Sequence, residues 1–224
     1  MYFYLLGVSL IFPIWALLFI FKKTGRKDML FVGFLFGIAA VLIEQFYAKF
    51  DYWHPLYVLP NIPLEDFFYG FFIGGISSEI SEFIFHWQFK KYRCYRNHRY
   101  YIQNFIIFSL ITIFLFIILV SILDLNSIFA HIIPPIIIGF IQISFMPKFT
   151  KIAISSAVIM VILTFSVFQI LLLYEHNLFI KYWYLGNLSE IFIFKIPIEE
   201  LLFAFGLGFA SATIYEFIFG YDIK

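Results

Sequence analysis

Apolar residues run along this chain in long blocks separated by short polar strings. The blocks cover 2–21, 29–47, 62–87, 102–123, 128–146, 152–174 and 196–219. A bilayer core takes about 20 residues of apolar helix, so each block is a candidate span. The pattern predicts an all-α polytopic membrane protein with seven transmembrane helices. The first block is not expected to be a cleaved signal, because no basic residue precedes it and no small-residue cleavage site follows.

The basic residues orient these spans. With the N-terminus outside, the inner connections carry Lys22, Lys23, Arg26, Lys27, Lys90, Lys91, Arg93, Arg96, Arg99, Lys148, Lys151 and Lys224. The outer ones carry only Lys49, Lys181 and Lys195. A twelve-to-three bias of Lys and Arg toward one side predicts an outside N-terminus and a cytoplasmic C-terminus. The loop "KKYRCYRNHR" then reads as an inner anchor near anionic lipid.

Residues 62–85, "IPLEDFFYGFFIGGISSEISEFIF", align without a gap on 196–219, "IPIEELLFAFGLGFASATIYEFIF", with eleven identities in 24 positions. Upstream, "FDYW" at 50–53 is echoed by "IKYW" at 180–183. We read an internal duplication. Spans one to three match spans five to seven, and span four links them. A one-span linker gives both halves the same orientation, hence a parallel 3+1+3 repeat about an axis along the membrane normal. The expected division is a first three-helix repeat over 1–90, a basic loop and linker helix over 91–127, and a second repeat over 128–224. Gly70, Gly74 and Ser78 in one repeat match Ala204, Gly208 and Ala212 in the other, a spacing that lets helix backbones approach closely. Packing of the third and seventh spans on each other is the expectation.

Composition sharpens the class. The chain of 224 residues is 63% hydrophobic and 13% charged, too greasy for a water-soluble domain. A net charge of +1 argues against a nucleic-acid partner. The single cysteine, Cys94, excludes an intrachain disulfide and a cysteine metal cluster. The 34 Phe residues fit either lipid-facing bias or an aromatic-lined cavity.

Carboxylates then stand out. Glu65–Asp66 and Glu199–Glu200 are adjacent pairs, each opening a span just after Pro63 or Pro197. With the prolines as first helical residues, the pairs fall in the first turn, where unpaired N–H groups and the helix dipole favour a carboxylate. That alone makes them ordinary helix-start acids. Their doubling, and its repetition, suggests more: adjacent like charges disfavour joint ionisation, so one member tends to hold its proton. Glu44 and Glu175 end the second and sixth spans at the same depth, bringing six carboxyls to one level. Glu79 is intramembrane, and Glu82 and Glu216 lie near the inner ends, where anchoring near Lys90 is expected. Around the outer acids stand Tyr52, Trp53, Tyr57, Tyr182, Trp183 and Tyr184, either as an interfacial belt or as π faces able to stabilise a cation.

No strand is expected, no GxGxxG opens a helix, and no "DDxxD" or HExxH is present, so no metal or cofactor is indicated. The adjacent glutamates are also a feature of intramembrane CAAX-type proteases, but the Arg four residues on and the helical His pair are missing. His54, His86, His98, His131 and His176 are scattered.

"PLED" and "PIEE", each opening a span in a tandem three-helix repeat, and the string "DYWHP…NIPLEDFFYGFFIGGI" resemble the integral-membrane lycopene cyclases, the cofactor-independent type found as two small subunits or fused. The resemblance covers essentially the whole chain. It implies cyclisation of a linear carotene end group without net redox change, on a lipophilic polyene taken from the bilayer. Carried onto this sequence, Glu65, Asp66, Glu199 and Glu200 are the acid–base candidates, with Glu44 and Glu175 as supporting acids and the six aromatics shielding the cation. Which carboxyl donates and which accepts is left open, as are ring type and oligomeric state, a homo-oligomer included. Two other readings stand beside it: a SWEET-like proton-coupled transporter, which shares the 3+1+3 plan, and a non-catalytic lipid-binding membrane protein.

Overall fold

The structure is a computed structural model that describes residues 2–59, 62–91 and 98–223. Arg93, Cys94, Arg96 and Lys224 lie outside the described residues, and so does the core of the basic-loop anchor.

The long helices are α1 (Phe3–Phe21), α2 (Arg26–Ile43), α3 (Leu64–Phe85), α4 (His98–Ile117), α5 (Ser127–Phe145), α6 (Thr150–Tyr174), α7 (Ile198–Ser211) and α8 (Ile214–Phe219). Among the described residues six helical stretches are long and apolar enough to cross a membrane: Phe3–Phe21, Lys23–Asp51, Gln103–Ile122, Ser127–Phe145, Pro147–Tyr174 and Ile198–Phe219. The third expected span, α3, matches them in length. Its glycines, serines and four acids make it more polar, and it stands largely buried inside the bundle. The seventh expected span is two helices, α7 and α8, broken around Thr213, whose hydroxyl donates to Gln142 of α5 at 2.9 Å. Pro63 and Pro197 precede their helices as N-caps rather than opening them.

The absence of strands is corrected by two short antiparallel ladders. Phe89–Lys91 (β1) pairs with Tyr221–Ile223 (β4), joining the chain after α3 to the chain after α8. Phe192–Ile193 (β2) turns back onto Ile196–Pro197 (β3), just before α7. Each strand is two or three residues long, and all but Ile196–Pro197 lie outside the apolar blocks, so the hydrophobic pattern carries no strand signal there.

Helix α3 packs chiefly on α2, and also on α1 and α6; α7 packs on α6 and α5. The small-residue stripes explain this arrangement and correct the expectation that they face one another. A Cβ added at Gly70 would lie 2.5 Å from the Phe36 carbonyl oxygen of α2, and one at Gly74 would lie 2.9 Å from the Phe36 Cβ. At Gly208 it would meet Ala157 Cα of α6 at 2.8 Å. The glycines therefore seat each helix on its sequence neighbour; Ala204 is buried beside them on α7. Where α3 and α7 meet, the contact is polar: the Ser211 hydroxyl donates to the Ser77 Oγ at 2.6 Å, and Ser156 of α6 donates to the Ser77 carbonyl at 2.8 Å.

At the end of the bundle that carries the Pro-x-acid-acid motifs, the two halves also join through backbone. Trp53 and Trp183 form an antiparallel bridge, with His54 N–H donating to Tyr182 O and Tyr184 N–H to Tyr52 O, both at 2.9 Å. Asp51 caps the start of α5 by accepting the Ser127 N–H at 2.7 Å and its hydroxyl at 2.6 Å. At the opposite end, Lys22 pairs with Glu82 at 3.2 Å and approaches Glu79 at 3.7 Å. Glu82 is thus anchored by Lys22 of the first inner string; the Lys90 side chain lies outside the described residues. Gly25 leaves the space that Glu79 fills, since a Cβ there would lie 2.1 Å from the Glu79 carboxyl. The linker is mostly exposed over Gln103–Ile122, and α4 leans on α5 and α8.

Candidate functional site

Five of the six expected carboxyls are buried at the motif end: Glu44, Glu65, Asp66, Glu199 and Glu200, each no more than 5% exposed. The sixth is corrected. Glu175 stands at the C-terminus of α6, is partly exposed, does not line the central cavity, and accepts from Lys181 at 2.6 Å. That hydrogen bond from the lysine ammonium holds the Glu175 carboxyl below its ordinary range and raises the lysine.

The five buried acids divide into two kinds. Glu65 accepts the backbone N–H of Val58 at 2.7 Å, and Glu199 accepts that of Ser189 at 2.7 Å. Each therefore ties down the loop that precedes its own helix, and neither lines the central cavity. The next residue along, one helical step of about 100° around the axis, points elsewhere. Asp66 and Glu200 both line a single cavity of about 470 Å³, and Glu44 joins them from the end of α2. Glu44 sits at the start of a π-helical turn (Glu44–Ala48), a local widening often found at functional sites.

The three cavity acids have different partners. Asp66 accepts one hydroxyl on each oxygen, from Tyr4 at 2.8 Å and from Tyr57 at 2.8 Å. Glu200 takes both of its donors, the Tyr52 hydroxyl and the Trp183 indole N–H at 2.7 Å, on the same oxygen, Oε1. Glu44 accepts the Trp53 indole N–H at 2.7 Å on Oε2, and its buried Oε1 has no partner. Burial, followed by the charges of Glu44 and Asp66, pushes the Tyr57 hydroxyl above the ordinary tyrosine range, so it stays a donor. Tyr52 is raised in the same way, by burial and then by Glu200.

Between the acids lie the two indoles, Trp53 and Trp183, with ring centroids 5.1 Å apart. Tyr52, Trp53 and Trp183 line the cavity. Tyr57 does not line it but donates to Asp66 and packs edge-on to Tyr4, which do. Tyr182 instead stacks on Phe3 at 4.2 Å, and the half-exposed Tyr184 stacks on His54 at 4.7 Å; neither lines the cavity. Sequence reasoning missed Tyr4, Tyr69 and His131, which do. Tyr4 lies near the chain start and Tyr69 within an apolar run, where nothing in the pattern distinguishes them. His131 is a lone histidine in an apolar helix; its Nδ1 lies 2.7 Å from the Ser127 carbonyl, and its ring stands edge-on to Phe203 at 5.9 Å. Among the described residues no group of three or more His, Cys, Asp or Glu is placed to hold a metal ion.

This division gives a direct expectation. Glu65→Gln keeps an acceptor oxygen for the Val58 N–H, so thermal unfolding in detergent and turnover should stay near wild type. Glu65→Ala leaves that N–H unpaired, which costs about 1–3 kcal/mol, and its unfolding midpoint should drop. The same contrast is expected at Glu199 with Ser189.

The site is an apolar cavity in which three carboxyls with distinct hydrogen-bond partners stand beside two indoles. No curated protein and no solved structure matches the chain. A family model described as lycopene cyclase matches residues 1–84 and 126–218, which take in both motifs, the five buried acids at the motif end, Trp53 and Trp183, and omit the basic loop and the whole of α4. The chain belongs to the lycopene cyclase family, a family of carotenoid biosynthesis.

Proposed function

We propose that this protein closes a ring on the end group of a linear carotene by proton transfer, with no net redox change, as an intramolecular lyase or isomerase. The observation that carries the proposal is that Asp66 and Glu200, the second acids of two copies of one motif, line the same apolar cavity. The proton given to the substrate equals the proton taken back, so an acid and a base suffice.

The hydrogen bonds suggest the roles. Glu200 gathers both donors on Oε1, which leaves Oε2 to carry a proton; it is the general acid. Asp66 has a hydroxyl donor on each oxygen, a setting that favours the carboxylate; it is the base. Glu200 protonates the terminal double bond and a tertiary cation forms. The neighbouring double bond attacks that cation, forming the ring bond and moving the charge into the ring. Asp66 then removes a ring proton, and its position sets where the new double bond falls. The faces of Trp53, Trp183 and Tyr52 stabilise the passing cation. Glu44, with one unpartnered oxygen, returns protons between the two acids.

The same proposal includes the membrane plan of seven spans with α3 as a buried third span, arranged 3+1+3 about an axis along the normal, N-terminus outside and C-terminus cytoplasmic. Two contacts support the axis. Aligned positions meet each other, Ser77 with Ser211 and Trp53 with Trp183, as residues on a twofold axis must. The substrate is a lipophilic polyene within the bilayer.

Expression in a lycopene-accumulating bacterium tests the activity. Cyclic carotene in the pigment extract is the expected result. Unchanged lycopene, with the protein present in the membrane fraction, would refute it.

A further inference from the structure

The cavity does not end at the acids. It reaches from Glu200 to Ile218, and a helical rise of about 1.5 Å per residue, with the break around Thr213, sets these at most about 27 Å apart along α7 and α8. That approaches the thickness of a bilayer's hydrocarbon core, about 30 Å. Away from the acids its wall is almost wholly apolar.

One flank of the cavity is open. Ile38 and Leu42 of α2 and Ile113 of α4 line it, yet they are 55%, 51% and 56% exposed. A side chain can be both only at a mouth. Small and short side chains, Ala39 on α2 and Thr112 on α4, also face the space between the two helices. The opening is a slit with closed ends. Tyr47 meets Phe116 at 4.9 Å toward the acids, and Phe31 meets Phe105 at 5.9 Å toward the opposite end.

We infer that the slit between α2 and the linker helix α4 is the lateral portal through which a long linear polyene enters from the bilayer, and that the polyene lies lengthwise in the cavity with one end group at the acids. This rests on the cyclase reading for its substrate class. The shape argues for the occupant: a narrow apolar channel, as long as the membrane core is thick, opening sideways where lipid lies and ending in carboxyls. A consequence follows for the product. The far end of the chain lies near Ile218, out of reach of Asp66 and Glu200, so each ring needs its own binding event. A one-ring carotene is released before a two-ring carotene is made.

The test uses the full chain in lipid nanodiscs, with lycopene as the probe. Energy transfer from Trp53 and Trp183 to the polyene reports binding, and chromatography reports rings. Ala39→Phe and Thr112→Phe fill the slit and should weaken quenching about tenfold. Leu110→Phe, on the lipid face of α4 and outside the cavity, should match wild type. At low conversion, free one-ring product should precede two-ring product. If both slit variants quench like wild type at equal helical content, the portal is elsewhere and the inference falls. If two-ring product appears with no free one-ring carotene, the lengthwise, one-end binding falls. No quenching of the wild type by lycopene, or quenching lost only to added phospholipid, would make the channel an acyl-chain site and overturn it. Binding by wild type that is weakened in the slit variants, but with no ring formed, would support the portal while refuting the cyclase reading.

Discussion

Glu200→Gln should lower ring formation by about 10²–10⁴-fold, the range lost when a positioned general acid or base is removed, while the protein stays at wild-type level in the membrane. Glutamine keeps the size of the side chain and an oxygen for Tyr52 and Trp183, so the local packing survives and only the transferable proton is lost. Asp66→Asn should lose activity on the same scale, with a different signature. Without the base the ring cation still forms, and it loses its proton to another acceptor, so residual product should shift in the position of the ring double bond. Pigment chromatography on both variants separates the roles. Full activity in Glu200→Gln would remove it as the acid. An unchanged product ratio in an active Asp66→Asn would remove Asp66 as the base. Glu65→Gln and Glu199→Gln are the matched controls, because their carboxyls hold loops rather than face the cavity.

The second large effect is on stability. Gly70→Ala should destabilise the bundle by about 1–3 kcal/mol, the usual cost of inserting a methyl group into a filled interior. The added Cβ would sit 2.5 Å from a backbone oxygen of α2, and backbone cannot rotate away as a side chain can. Helices α2 and α3 would separate, moving Glu44 relative to Asp66. Gly208→Ala should act similarly through Ala157 and Ser156 of α6. Gly186→Ala, in a loop with no atom within 4 Å of the new Cβ, is the control and should unfold with wild type. Thermal unfolding in one detergent ranks the three. Equal midpoints for Gly70→Ala and Gly186→Ala would mean that the helices can part at little cost.

The asymmetry of the two motif copies is what makes one cavity chemically useful. Asp66 draws its donors from its own half, Tyr4 and Tyr57, whereas Glu200 draws Tyr52 from the other half and Trp183 from its own. The two matching motifs each bring one acid to the wall of the same cavity. On the proposed cyclisation, which gives and takes one proton, these different hydrogen-bond donors are what would tell the acid from the base.

The sequence alone determined that the chain is a bundle of apolar helices, because hydropathy at span length depends only on local composition. It also determined the two matching Pro-x-acid-acid segments and the aromatic residues around them, through residue identity at fixed spacing. Tertiary structure decided which acids work together. Adjacent residues in a helix point in different directions, so Glu65 and Asp66 look alike in the sequence and separate into a loop tether and a cavity wall only when neighbouring helices surround them. The removal of Glu175, the partners of Gly70 and Gly208, and the entry of Tyr4 and His131 were likewise invisible beforehand. Each depends on which helix lies opposite, and that is set by packing between segments far apart in the chain.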